Sequence, residues 1–160
     1  MKTLWVNSNF MHPTTKGGQI RTLEMLRHLH RWHEIHYVAI ANPAHAPYGK
    51  RAEESLHYYQ LYDKIKDKLV IGENIAQAAQ YAGSGAADVG IIALSLALSP
   101  AMRQEGGKYW LIPASSHQPL QQGYVLLSHA KGNAGVTEFA TFFSSAKAAA
   151  VLQSFGFGKP

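Results

Sequence analysis

The sequence predicts an α/β protein, a three-layer α/β/α sandwich around a doubly wound, mostly parallel sheet of about five strands. Three observations carry that expectation. Apolar runs with strand character recur at Tyr37-Val38-Ala39-Ile40, Leu69-Val70-Ile71 and Val89-Gly90-Ile91-Ile92. Each leads into a short loop: Ala-Asn-Pro-Ala-His-Ala-Pro-Tyr-Gly (41–49), Gly-Glu-Asn-Ile (72–75) and the end of Gly-Ile-Ile-Ala-Leu-Ser (90–95). Helix-length amphipathic segments follow the first two. Repeated strand, turn and helix place such loops at the carboxyl ends of a parallel sheet. Helix starts at that edge present backbone N–H groups and a positive dipole end, which suit an anion.

Taken in order, Thr3-Leu4-Trp5-Val6 reads as a short strand, expected centrally in a parallel sheet. Asn7 to Lys16 is a polar turn. A helix is expected from about Gly17 to Trp32, with Ile20, Leu23, Leu26 and Leu29 inward and Arg21, Arg27 and Arg31 on a solvated face. His28, His30, His33 and His36 crowd this region, but His28 and His30 do not share a helix face, and no metal site is expected. Ile35 to Ala41 is the second strand. A helix over about 49–61 turns Ala52, Leu56 and Tyr59 inward, and a charged turn fills Leu61 to Lys68.

Strand Leu69–Ile71 then leads to Asn74, a good N-cap for a helix from Ile75 to Tyr81 that stops at Gly83-Ser84-Gly85. Strand Val89–Ala93 is followed by a short helix that Pro100 initiates, and Tyr109–Ile112 is a further strand. Pro113 to Gln122 reads as a loop and Gly123 to Ser128 as a strand. One or two helices between Asn133 and Leu152 turn Phe139, Phe142, Phe143, Val151 and Leu152 inward.

Composition narrows the function classes. At 160 residues the chain is expected to form a single domain, 1–160, with an apolar fraction of 46% and a charged fraction of 16%. The net charge of +5 divides into +3 over residues 1–40 and +2 over 41–160. So small an excess reads as a solubility charge, and neither nucleic acid nor membrane is expected as a partner. With no cysteine, disulfides and thiolate metal sites are excluded. Asn7, Ser8 and Asn9 interrupt the opening apolar run, so no signal peptide is expected and the chain as written is expected to stay in the cytoplasm.

From about Ala39 onward the chain resembles the molybdate-binding proteins that feed ABC importers. The resemblance is densest at Ile-Ala-Asn-Pro-Ala-His-Ala-Pro-Tyr-Gly (40–49), residues 62–75, residues 84–95 and Lys-Tyr-Trp-Leu-Ile-Pro (108–113). It corresponds to the second lobe and C-terminal tail of such a protein, and implies a periplasmic-binding-protein-like lobe of Rossmann or flavodoxin-like layering. Residues 1–40, with Leu-Trp-Val-Asn-Ser-Asn-Phe and His-Pro-Thr-Thr-Lys-Gly-Gly-Gln-Ile-Arg-Thr-Leu, resemble instead the opening strand–helix–strand of family-4 glycosyltransferases of the GT-B type. The two resemblances meet near Tyr37 to Ala41. The leading expectation is therefore an engineered or fused chimeric scaffold with no evolved catalytic activity.

The alternative is a residual half-site for a small oxyanion of the molybdate or tungstate kind. The resemblance places it at the N–H groups near Tyr48 and Ile75 and at Ala93, where some family members carry a tyrosine. Ser8 at the end of the first strand stands where it could imitate a first-lobe serine. Half a clamp implies millimolar binding at best. A weaker alternative is phosphate or a nucleotide-sugar at Gly17 and Gly18, a Gly-Gly that opens a helix after a strand. No cofactor is expected, and no enzyme: Gly-x-Ser-x-Gly and His-Glu-x-x-His are absent, and Glu73 near His45 more naturally serves its own turn. In this reading the parent of the larger fragment is periplasmic. An unpaired edge strand or exposed tail leaves dimerisation open.

Overall fold

A computed structural model describes residues 2–6, as backbone, and 37–158. The chain divides into two compact units, Met1–Leu120 and Gln121–Pro160.

Unit one is built on a five-stranded sheet in the order β3-β2-β4-β1-β5. Its strands are β1 (Lys2–Val6), β2 (Val38–Ala41), β3 (Leu69–Gly72), β4 (Val89–Ala93) and β5 (Lys108–Leu111). The parallel pairs are β2 with β3 (Val38 opposite Leu69) and β2 with β4 (Val38 opposite Val89). β1 sits inside the sheet as expected but runs antiparallel to both neighbours, with Lys2 opposite Ala93 and Val6 opposite Lys108. That corrects its expected direction. A run of Thr, Leu, Trp and Val fits a buried strand in either sense, and direction is set by the connections rather than by the side chains.

The central strands are buried end to end, and their alternation sorts the core into two faces. Val38, Ile40, Val89 and Ile91 meet Ala52 and Leu56 of helix α1 (Pro47–Tyr58) together with Ile112. On the other face Ala39 and Ile92 meet Ala78, Ala79 and Ala82 of helix α3 (Ile75–Ser84), with Ala97 and Met102. Alanines dominate this second face because α3 lies very close to the sheet. A Cβ added to Gly90 would come 2.7 Å from the Ala82 methyl. Helix, sheet and helix make the three layers expected.

Short elements fill the joins. The charged turn 61–68 contains α2 (Tyr62–Ile65) and a 3-10 turn (Lys66–Lys68). α3 runs three residues beyond its expected end and terminates where Gly85 takes the left-handed φ of 79°. After β4 come α4 (Leu94–Ala97) and α5 (Pro100–Gln104), the latter capped by the Ser99 hydroxyl. Past β5, the loop docks on α1. The Gln118 N–H donates to Glu54 Oε2 at 2.9 Å, and the buried Ser116 hydroxyl lies 3.2 Å from that of Ser55. Of the expected helix 17–32 and the rest of 7–36, nothing falls within the described residues.

Unit two holds α6 (Ala134–Phe143) and α7 (Ala146–Ser154), each capped by a side chain, Asn133 and Ser145 respectively. Two expectations change here. Residues 123–127 form no strand; Leu127 has extended dihedrals, but the segment has no ladder partner. The aromatic stripe is not inward either, since Phe139, Phe142 and Val151 are exposed while Phe143 and Leu152 are half-buried. Tyr124 packs edge-on against Phe143, with ring centres 5.0 Å apart.

Candidate functional site

Strand order fixes where a ligand can sit. From β2 the chain crosses through α1 to β3 on one side, then through α3 to β4 on the other side of β2. The two connections leave the sheet on opposite faces, which opens a crevice outside the carboxyl ends of β2 and β4. The start of α1, the start of α3 and the end of β4 surround it.

At α1 the N-cap is Ala46, which has no side-chain acceptor for the first-turn N–H groups, and Pro47 follows at the first helical position. The helix is pressed against the strand it follows. A Cβ on Gly49 would stand 2.1 Å from the Ala41 carbonyl oxygen and 2.8 Å from the Asn42 carbonyl carbon. At α3 the Asn74 side chain accepts from the Gln77 N–H at 3.0 Å, and the Glu73 N–H donates to Gln77 Oε1 at 2.7 Å. This reciprocal cap fixes the entry to the helix. Asn74→Ala should lower stability by about 1 kcal/mol, read as an earlier urea midpoint with an unchanged slope.

The two loops are joined to each other. The Asn42 N–H donates to the Gly72 carbonyl at 2.7 Å, and Asn42 Oδ1 accepts from the Ala44 N–H at 2.9 Å. His45 Nε2 lies 2.9 Å from the Glu73 carbonyl oxygen and 3.6 Å from Glu73 Oε2. Glu73 joins its own turn through its backbone N–H, while its carboxylate lies beside His45. A perturbed phenol lies elsewhere: Tyr62, beyond the far end of α1, has its pKa raised by the negative charge of Glu53, with burial, a hydrogen bond to Glu53 and the charge of Asp63 adding to it.

Of the expected site residues, Tyr48 is the second residue of α1, Ile75 the first of α3, and both are half-buried. Ala93 closes β4 and is buried. All three lie at the carboxyl edge of the sheet, Tyr48 and Ala93 following β2 and β4 and Ile75 opening the helix that follows β3. Ala93 brings no hydroxyl. Ser8, Gly17 and Gly18 fall outside the described residues. Sequence reasoning missed Asn42 and Gly49. Asn-Pro is a turn signal that could have flagged the first, whereas the second needs the helix-to-strand distance. Among the described residues no group of three His, Asp or Glu side chains could hold a metal ion, and no helix is long and apolar enough to cross a membrane.

Comparison with known proteins gives the same picture from outside. The profile of the bacterial extracellular solute-binding protein family matches residues 4–158. The molybdate-binding protein ModA of Azotobacter vinelandii is 34% identical over 122 residues, 76% of this chain and 48% of that protein. ModA of Rhodobacter capsulatus is 32% identical over 124 residues, 78% of this chain and 48% of its own length. The chain thus spans about half the length of the curated relatives it matches. The solved structure of the periplasmic molybdate-binding protein of A. vinelandii superposes on 99% of this chain, covering 64% of its own, with a TM-score of 0.77 at 27% identity.

Proposed function

The chain belongs to the bacterial extracellular solute-binding protein family, and from that premise we propose that it is a ligand-holding lobe for a tetrahedral dianion of the molybdate or tungstate kind. The carrying observation is the crevice between β2 and β4, with the start of α1, where Ala46 supplies no side-chain cap, on one side and Ala93 on the other. N–H groups at a helix start donate to an oxyanion without any formal cation. A charged base is not needed, and neither is an enzyme: the relatives are named as binding proteins. The parent protein works outside the cytoplasmic membrane in this reading.

One lobe leaves a bound dianion partly hydrated, and hydration weakens each of its hydrogen bonds. A Kd of about 1 mM is the expected strength, equivalent to ~4 kcal/mol. At ten times that concentration, molybdate should raise the thermal midpoint by about 3–6 °C. Sulfate and a uridine diphosphate sugar are the comparison ligands, the second reporting on Gly17 and Gly18. Tyr48→Pro removes the N–H of the second helical residue and should abolish the shift, and its ligand-free midpoint is read alongside to separate loss of the donor from loss of the helix start. Tyr48→Ala keeps the N–H and should keep the shift.

The family profile runs through the seam near Tyr37 to Ala41 and matches on both sides of it. A fused scaffold without activity becomes the better reading if the midpoint stays unmoved by every ligand. A shift with the sugar nucleotide alone would transfer the site to the Gly17-Gly18 loop.

A further inference from the structure

We propose that His45 is a positioning residue for this crevice: its imidazole holds the peptide group that leads into α3, so that the starts of α1 and α3 keep one spacing. The inference rests on the oxyanion reading for its purpose and on geometry for its existence. β2 and β3 are neighbours, and their last backbone link is the bond from the Asn42 N–H to the Gly72 carbonyl. Beyond that rung the ladder ends. His45 bridges the gap, with Nε2 at 2.9 Å from the Glu73 carbonyl oxygen.

A carbonyl oxygen only accepts, so Nε2 carries the proton and donates. The Nε2–H tautomer and the imidazolium both donate from this atom, so the tie survives protonation of the ring. The peptide it grips is held from its other flank as well. The Glu73 N–H donates to Gln77 Oε1, and the Asn74 side chain accepts from the Gln77 N–H. Three bonds therefore fix the orientation of the Glu73–Asn74 peptide and of the N–H groups that follow it at Asn74 and Ile75. The His45 side chain is itself 55% exposed. It contributes little to the core, and its removal should loosen the loops without unfolding the chain.

The test uses the full chain with two substitutions. His45→Leu keeps bulk and loses the donor, and His45→Gln keeps an N–H donor at comparable reach. In ligand-free protein, His45→Leu should speed amide hydrogen exchange at Glu73 and Gln77, whose N–H groups are held by Gln77 Oε1 and Asn74 Oδ1, by about tenfold. It should weaken molybdate binding by a similar factor and leave the ligand-free thermal midpoint unchanged. His45→Gln should restore slow exchange and affinity together. The proposal is overturned if His45→Leu exchanges at the wild-type rate, if His45→Gln is as impaired as His45→Leu, or if either variant fails to fold, which would make the residue structural. If the unaltered chain binds no oxyanion, the functional reading fails separately, and the exchange rates alone decide whether His45 holds the peptide.

Discussion

Gly49→Ala should cost the fold about 3 kcal/mol or more and take the ligand response with it. The Cβ it adds would lie 2.1 Å from the Ala41 carbonyl oxygen, 2.6 Å from the Ala41 carbonyl carbon and 2.8 Å from that of Asn42. Every one of these atoms is backbone, so no side chain can swing aside. Relief requires moving the start of α1 away from the end of β2. That motion breaks the packing of Ala52 and Leu56 on the sheet and widens the crevice in one stroke. Gly123→Ala is the matched control, because a Cβ there meets nothing within 4 Å, and it should change stability by no more than about 0.5 kcal/mol. Denaturant midpoints of the two variants measure the contrast directly. Equal midpoints would show that the helix start can retreat freely.

Ile40→Ala should be the other severe change, at about 4 kcal/mol. Ile40 is 0% exposed on β2, covered by α1. Hydrogen-bonded strands lie on either side of it, so the surroundings cannot close over the missing atoms and a cavity remains. Val125→Ala removes apolar atoms as well, but from a side chain 76% exposed, and should shift stability by about 0.5 kcal/mol at most. Chemical denaturation of both variants, with slopes compared, checks the pair. A small loss at Ile40 would mean that β2 is not the centre of the core.

These two variants mark how much of the molecule is legible in the sequence. The β2-α1-β3-α3-β4 run was readable because its short apolar runs alternate with turns that carry Asn-Pro, Gly and an N-cap Asn. The same punctuation puts these turns at the sheet's carboxyl edge, whereas Tyr48, Ile75 and Ala93 themselves were singled out by the family resemblance. The role of Gly49 was not legible. Within a helix a glycine reads as a weak position, and its necessity appears only when the distance to Ala41 is known. The direction of β1 was equally hidden, because Thr-Leu-Trp-Val has the same pattern read either way. At Gly123 to Ser128 the β-branched and aromatic run promised a strand, but propensity supplies no partner. Phe139 and Phe142 have helical spacing on α6, which says that one face is apolar and not what covers it.

The place of β1 between β4 and β5 sets a clock on the making of this protein. Its residues are synthesised before their backbone partners, which lie at 89–93 and 108–111. At ordinary synthesis rates the hundred-odd residues between take roughly 5–20 s to appear. Throughout that interval the segment must remain unpaired, while β2, β3 and β4 complete a parallel block whose β4 edge stays vacant. Insertion of β1 is then among the last steps in assembling this sheet, and whatever holds that segment clear of other edges in the meantime governs the yield of folded chains.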